Sequence, residues 1–389
     1  MSRGFSLGAT GFGLIAICYG FARFAFGLFL PQIEADLVLP DAVGGLIAGG
    51  SFLGYCLAIV LAAQLTERVG ARAVAVCAAL VAALGMLGIA LAPSVAWLAG
   101  AVLVAGMSTG LASPPMAAAV AAVIEPCRWD TTNTLINAGT SAGVILCGPV
   151  ALLLGAEWRL AYAVFACSAL ALALFACFCV PETASSRSPV AKAGPLSSVT
   201  LKRLVVASLL MGAASTALWS FGSQIVAQLL GWESAGAGLL WVVIGAAGIV
   251  GAGAGSLIAR LGVDWANRLC LGALVAAIVL VGMGSTPAWT LLGGALFGAA
   301  YISLSGIYLV WGVAAFPERP ATGLTIAFLS IAIGQTLGAP VFGLLMSQLG
   351  MDHALWLFAL LALAAGTMRS SVAEAARPSP VSRAEKSPR

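Results

Sequence analysis

The sequence predicts an all-α integral membrane protein with twelve transmembrane helices in two pseudo-symmetric six-helix bundles. Three observations carry this: too little charge for a soluble surface, apolar blocks of bilayer length, and a repeat near half the chain length. Of 389 residues, 61% are hydrophobic and 8% charged, and the mean hydropathy is +1.07. A soluble domain carries about 25% charged residues. About 20 apolar residues cross a bilayer as a helix.

The first block follows Arg3, as in a secretory leader, but it runs through Arg23 to Leu30 without a small-residue cleavage site, so it reads as a span. The expected spans are 8–31, 42–65, 73–92, 94–123, 132–155 and 159–180, then 203–230, 235–258, 266–285, 288–315, 322–347 and 353–369. Between the sets lies PETASSRSPVAKAGPLSS (181–198), an aqueous linker by its Ser, Pro and basic residues. The expected domains are 1–180, a cytoplasmic linker 181–200, a second bundle 201–370, and a disordered cytoplasmic tail 371–389.

Basic residues set the orientation. With a cytoplasmic N-terminus, the inner segments carry Arg3, Arg68, Arg72, Arg128, Arg187, Lys192, Lys202, Arg203, Arg260, Arg268, Arg319, Arg369, Arg377, Arg383, Lys386 and Arg389, or 16 of the 18 Lys and Arg. Arg23 and Arg159 are the exceptions. This is the positive-inside pattern, and both termini are expected in the cytoplasm of a cell with an inner membrane. The net charge of +4 reflects loops beside anionic lipid rather than nucleic-acid binding.

The repeat has three matches. Arg68 and Gly70 correspond to Arg260 and Gly262 at an offset of 192. Pro126 and Arg128 correspond to Pro317 and Arg319 at 191, and Gly139 and Gly143 to Gly334 and Gly338 at 195. Parallel repeats of this kind place a site between the halves, near the bilayer midplane.

The segment AQLTERVGAR (63–72) resembles the loop signature of the major facilitator superfamily, usually G-x-L-a-D-R-x-G-R. Here Ala63 replaces the glycine and Glu67 the aspartate; the second copy carries Gly255, Leu257, Ala259, Arg260 and Gly262. The Trp158–Arg159 pair adds to the likeness, which covers nearly the whole chain. GFARFAFGLFLP (20–31) and GGSFLGYCLA (49–58) are similar to the YbfB/YjiJ-type branch. The resemblance implies a carrier working by alternating access. It implies conformational gating by Glu67, Arg68, Gly70, Arg72 and Arg260, through pairing across the interface between halves. GTSAGVILCGP (139–149) resembles the antiporter signature without its trailing glycine pair. Small residues for close helix contact explain it equally well.

Arg23 is the exceptional residue. A charge at the centre of a span costs about 2.5–3.5 kcal/mol, and such residues usually face a cavity. No Asp or Glu falls inside any expected span. Glu34 is eleven residues on, about 16 Å along a helix. Two readings follow: the counterion is an anionic substrate held by the guanidinium fork, or Arg23 bonds backbone carbonyls or snorkels outward. Tyr19 shares its face. Gln224 and Gln228 in span 7, Tyr301, Ser305 and Tyr308 in span 10, Asn137 in span 5 and Gln335 in span 11 complete the candidate substrate pocket.

A small organic anion with an apolar part suits one cation among aromatic and amide groups. Uniport, anion exchange and symport with a coupling proton all stay open. The rivals are an exporter of amphipathic drugs or metabolites and a membrane receptor that binds without transport. An enzyme is not expected, with one histidine and no intramembrane acid. Nine scattered cysteines without CxxC or a Cys/His cluster predict neither disulfides nor a metal site. No cofactor is expected, GAGAG (251–255) lacking the Lys-Ser/Thr of a phosphate loop. The expected partners are the substrate and membrane lipid, and the expected state is a monomer.

Overall fold

The computed structural model describes residues 3–155, 157–182, 199–232, 234–284, 286–316 and 320–370, and every regular element among them is helical. The first half comprises α1 (Arg3–Ile15), a π-helical segment (Ala16–Phe24), α2 (Ala25–Leu37), α3 (Asp41–Val69), α4 (Ala71–Ala90), α5 (Val95–Val123), α6 (Trp129–Leu154) and α7 (Trp158–Cys179). The second comprises α8 (Val199–Trp219), α9 (Gly222–Leu230), α10 (Ser234–Gly248), α11 (Ala254–Met283), α12 (Pro287–Ala315), α13 (Pro320–Leu349) and α14 (Met351–Ala365). Among the described residues, ten helices are long and apolar enough to cross a membrane. The shorter apolar segments Ala235–Gly251 and Met351–Ala365 take the places of the eighth and twelfth expected spans.

Apolar side chains point outward as well as inward. Leu153 and Phe178 are each 84% exposed, which water would penalise and lipid tails do not. Exposed tryptophans mark the two ends. Trp97, Trp289 and Trp356 open helices at one end, and Trp129 and Trp265 lie at the other. Indole rings favour the headgroup level. The chain is a multi-pass membrane protein.

The repeat recurs in the geometry. Ser94 and Thr286 both N-cap a helix, their side-chain oxygens accepting from the Trp97 and Trp289 backbone N–H groups at 3.4 Å. Gly139 and Gly143 of α6 lie against Phe12 and Ala16, and Gly334 and Gly338 of α13 lie against Leu209 and Ala213. These glycines therefore serve helix contact, which also accounts for the antiporter-like stretch. Pro317 and Arg319 lie outside the described residues, as do 183–198, most of the expected linker, and the tail 371–389.

Gly70 (φ 85°, ψ 159°) and Gly262 (φ 75°, ψ 165°) share a backbone region that is essentially glycine-only. Each makes its reversal alone, so the expected loop at 259–265 is a single-residue break. Gly70→Ala or Gly262→Ala is expected to lose about 1–3 kcal/mol. By contrast, Gly100→Ala, in a helix with open space around it, should hold or gain stability. Thermal unfolding in detergent compares the three.

The halves meet at the end bearing Asp41. There a methyl group on Gly45 would come within 2.5 Å of Ala339 O, and one on Gly238 within 2.8 Å of Gly148 O. The α3–α13 contact continues to Tyr55, Ile59 and Ala332. Past that point Leu61, Leu65, Glu67, Arg68 and Val69 are exposed. At this far end α1 packs on α5, α6 and α7, while α8 packs on α12, α13 and α14. The molecule is closed at the Asp41 end and parted at the Glu67 end.

Candidate functional site

Arg23 sits where the first helix widens. From Ala16 to Phe24 the helix is π-type, and the Ala25 N–H bonds Gly20 O, five residues back. Such segments often mark functional sites. Neighbouring helices take up its carbonyls: Thr109 Oγ1 donates to Cys18 O at 3.1 Å and Cys147 Sγ to Gly20 O at 3.6 Å.

The Arg23 side chain is 6% exposed and does not snorkel. Its Nη2 donates to Gln335 Oε1 at 2.5 Å, a bond joining the two halves. Gln335 is fully buried, and its Nε2 donates to Tyr301 OH at 3.1 Å and Ser215 Oγ at 3.2 Å. Four rings surround the guanidinium, with centroids 4.7 Å (Phe52), 4.7 Å (Tyr55), 5.2 Å (Phe24) and 5.8 Å (Tyr19) from Cζ. Tyr19 OH and Ser113 Oγ are 3.1 Å apart. Across the interface, Trp219 stacks on Phe24 at 4.0 Å and meets Tyr301 edge-on at 5.3 Å.

The energetics fit a buried charge without a carboxylate. A charge-assisted hydrogen bond contributes about 1.5–3 kcal/mol, and a desolvated cation–π contact up to about 2 kcal/mol. Together they offset the burial cost and leave the positive charge in place. No described carboxylate touches Arg23; the described ion pairs are Arg72–Glu182 and Arg159–Asp36. Arg23 Nε and Trp219 Nε1 are buried donors without acceptors.

The candidate residues separate into groups. Arg23, Tyr19, Tyr301 and Gln335 come together. Gln224 is elsewhere, donating through Nε2 to Asp41 Oδ1 at 2.6 Å in the closed end. Gln228 and Asn137 are exposed. Ser305 donates to Tyr301 O in its own helix, and Tyr308 OH to Ala207 O of α8. Phe24, Phe52, Tyr55, Ser113 and Ser215 enter the cluster without having been singled out. Tyr55 and Phe52 lie in the stretch GGSFLGYCLA, which carried the family likeness but no sign of which face meets Arg23.

Of the loop residues, Arg72 departs from the pairing across halves that the resemblance implied. Arg72 Nε donates to Val180 O at 2.7 Å and Nη1 to Glu182 Oε1 at 2.5 Å, both at the end of its own half. That end is parted, so Arg72 completes the C-terminus of α7, where a cation is favoured. Glu67, Arg68 and Arg260 are exposed there. At the other end Arg159 binds Asp36 and, at 3.1 Å, Ala92 O, fastening three helix ends of the first half.

Two related helical halves, closed at one end, parted at the other and holding a cation between them, define a membrane carrier of small molecules. The chain belongs to the major facilitator superfamily, whose profile (Major Facilitator Superfamily) matches residues 12–329. It is a transporter and not an enzyme. Solved structures share the fold. The nucleoside transporter NupG is 15% identical, with a TM-score of 0.75, covering 95% of this chain and 99% of its own. A bacterial homolog of the human lysosomal transporter Spinster, inward-facing and unoccupied, is 15% identical (TM-score 0.77; 97% and 99% coverage). The human organic anion transporter TETRAN is 19% identical (TM-score 0.68; 95% and 100%). A search of curated protein sequences finds no match.

Proposed function

We propose that this transporter moves a small organic anion of carboxylate type across the inner membrane by alternating access, with Arg23 as the charge anchor. The observation that carries the reading is a fully charged, buried guanidinium between the halves whose protein partner is a neutral amide. Buried donors lacking acceptors call for an acceptor-rich ligand. A carboxylate takes both arms of the guanidinium fork, and the four rings accept an apolar body. Among the solved relatives, TETRAN is an organic anion transporter, although at that identity the likeness speaks for the fold alone.

Binding then couples to movement. The arriving carboxylate displaces Gln335 from Arg23 and removes a bond between the halves. With both termini cytoplasmic, the parted Glu67 end faces inward. The moving bodies are residues 1–180 and 201–370, and Glu67, Arg68, Gly70, Arg72 and Arg260 gate the inner end when it closes. Symport with a coupling proton, anion exchange and uniport are all compatible with this anchor. Amphipathic cations are disfavoured, because Arg23 already fills the aromatic box.

The test is a thermal-shift panel in detergent with monocarboxylates, dicarboxylates, aromatic acids and lipophilic cations. An acid is expected to raise the melting temperature of the wild type and not of Arg23→Ala. Stabilisation by cations alone, equal in both proteins, would overturn the substrate class.

A further inference from the structure

Between α11 and α14, at the parted end, lies a groove of about 300 Å³ lined by Arg268, Leu271, Gly272, Leu363, Gly366 and Thr367. Its walls are small. A methyl group on Gly272 would meet nothing, and α14 ends at Ala365, one residue before Gly366. The outer rim faces lipid: Leu269 and Leu363 are each 57% exposed. The Ser370 N–H donates to Asp264 Oδ1 at 2.6 Å, fastening the chain beyond α14 to α11 one turn from Arg268. That bond occupies the acid nearest to Arg268 in sequence. Arg268 itself enters no described ion pair. Its Cζ lies 5.5 Å from the Trp265 ring centroid, and that exposed indole sits where headgroups are expected.

The first half has a cavity in the corresponding place, of about 520 Å³, with Arg72 and Glu182 on its wall. The repeat offset of 192 matches Arg72 to Asp264 and Val76 to Arg268. There the arginine is already spent on Glu182 and Val180 O. The groove of the second half therefore differs in holding a guanidinium that no described carboxylate takes up.

We infer that this groove is a binding site for an anionic phospholipid, with the phosphate on Arg268 and an acyl chain lying along Gly272 and Leu363. The inference rests on the membrane fold and not on the cargo. Guanidinium and phosphate match in charge and in fork geometry. The arginine stem runs along apolar wall while its head reaches toward the headgroups. Arg369, exposed two residues past Thr367, adds a second positive charge. The same charges make the chain's own tail a poor occupant, since residues 374–389 carry Arg377, Arg383, Lys386 and Arg389 against Glu374 and Glu385.

Native mass spectrometry from mixed micelles tests the site with phosphatidylglycerol and phosphatidylcholine of identical acyl chains. The wild type is expected to retain the anionic lipid about fivefold more than the zwitterionic one. Arg268→Ala should retain both equally. Gly272→Leu, which keeps every charge and fills the groove, should lose the preference too. Arg128→Ala removes an exposed charge at the same end of the first half and should keep it. Equal retention by the wild type, a preference lost as fully in Arg128→Ala, or one untouched by both groove variants would overturn the site. Abolition of the preference by inorganic phosphate would overturn it in favour of a free anion. A preference seen only after removal of residues 371–389 would make the tail the occupant, and one confined to a dimeric species would place the lipid between copies.

Discussion

Arg23→Ala is expected to abolish anion transport while leaving a folded protein. In proteoliposomes, flux of the acid that stabilises the wild type should fall by about a hundredfold or more. Losing two charge-assisted hydrogen bonds of about 1.5–3 kcal/mol each removes at least that factor. Folding should survive because the guanidinium interacts with side chains that keep other partners. Gln335 retains Tyr301 and Ser215, and Tyr19 retains Ser113. Arg23→Lys is the sharper variant. An ammonium restores the charge and can sit among the same rings, but it lacks the planar fork. It should recover part of the binding and little of the flux. If Arg23→Ala transports the acid at the wild-type rate, Arg23 is a structural pin between halves.

Much of this architecture was legible in the sequence because a bilayer writes it there. Apolar blocks must be long enough to span, and basic residues punctuate them. The duplicated ancestry shows at Gly70 and Gly262, which nothing but glycine suits. The exceptional charge of Arg23 and the scarcity of acids within the spans were also readable, whereas its burial, against the alternative of snorkelling outward, came from the structure. The neighbours of Arg23 were not. In a soluble helix, polar residues mark the outer face and fix the helical phase. Here the lipid face is as apolar as the interior, so nothing in sequence separates exposed Asn137 and Gln228 from buried Gln335. The π-helical segment is a second reason. It rotates Tyr19 and Arg23 relative to an α-helix, and it depends on Thr109 and Cys147, far along the chain. The inner loop is a third: a loop signature names residues and not their partners, and Arg72 bonds Val180 and Glu182 of its own half.

Gln335→Glu builds the ion pair that the sequence withholds, and should do more damage than deleting the side chain. The new carboxylate would stand where Oε1 now lies, 2.5 Å from Arg23 Nη2. Ser215 and Tyr301 now accept from the amide, but their hydroxyls can turn and donate to the carboxylate. The pair would be fully buried and satisfied, and it would bridge the two halves. Opening such a pair by withdrawing one partner costs about 3–5 kcal/mol. A substrate anion would have to supply that energy, and the closed outer end would have to yield it to part. The expected result is a higher melting temperature without ligand, no further shift with the acid, and flux reduced by about two to three orders of magnitude. Gln335→Leu behaves oppositely: Arg23 loses its resident acceptor, so the acid should bind at least as tightly as to the wild type. Wild-type affinity in Gln335→Glu would mean that the anion never meets Arg23, and the substrate site would have to be sought elsewhere between the halves.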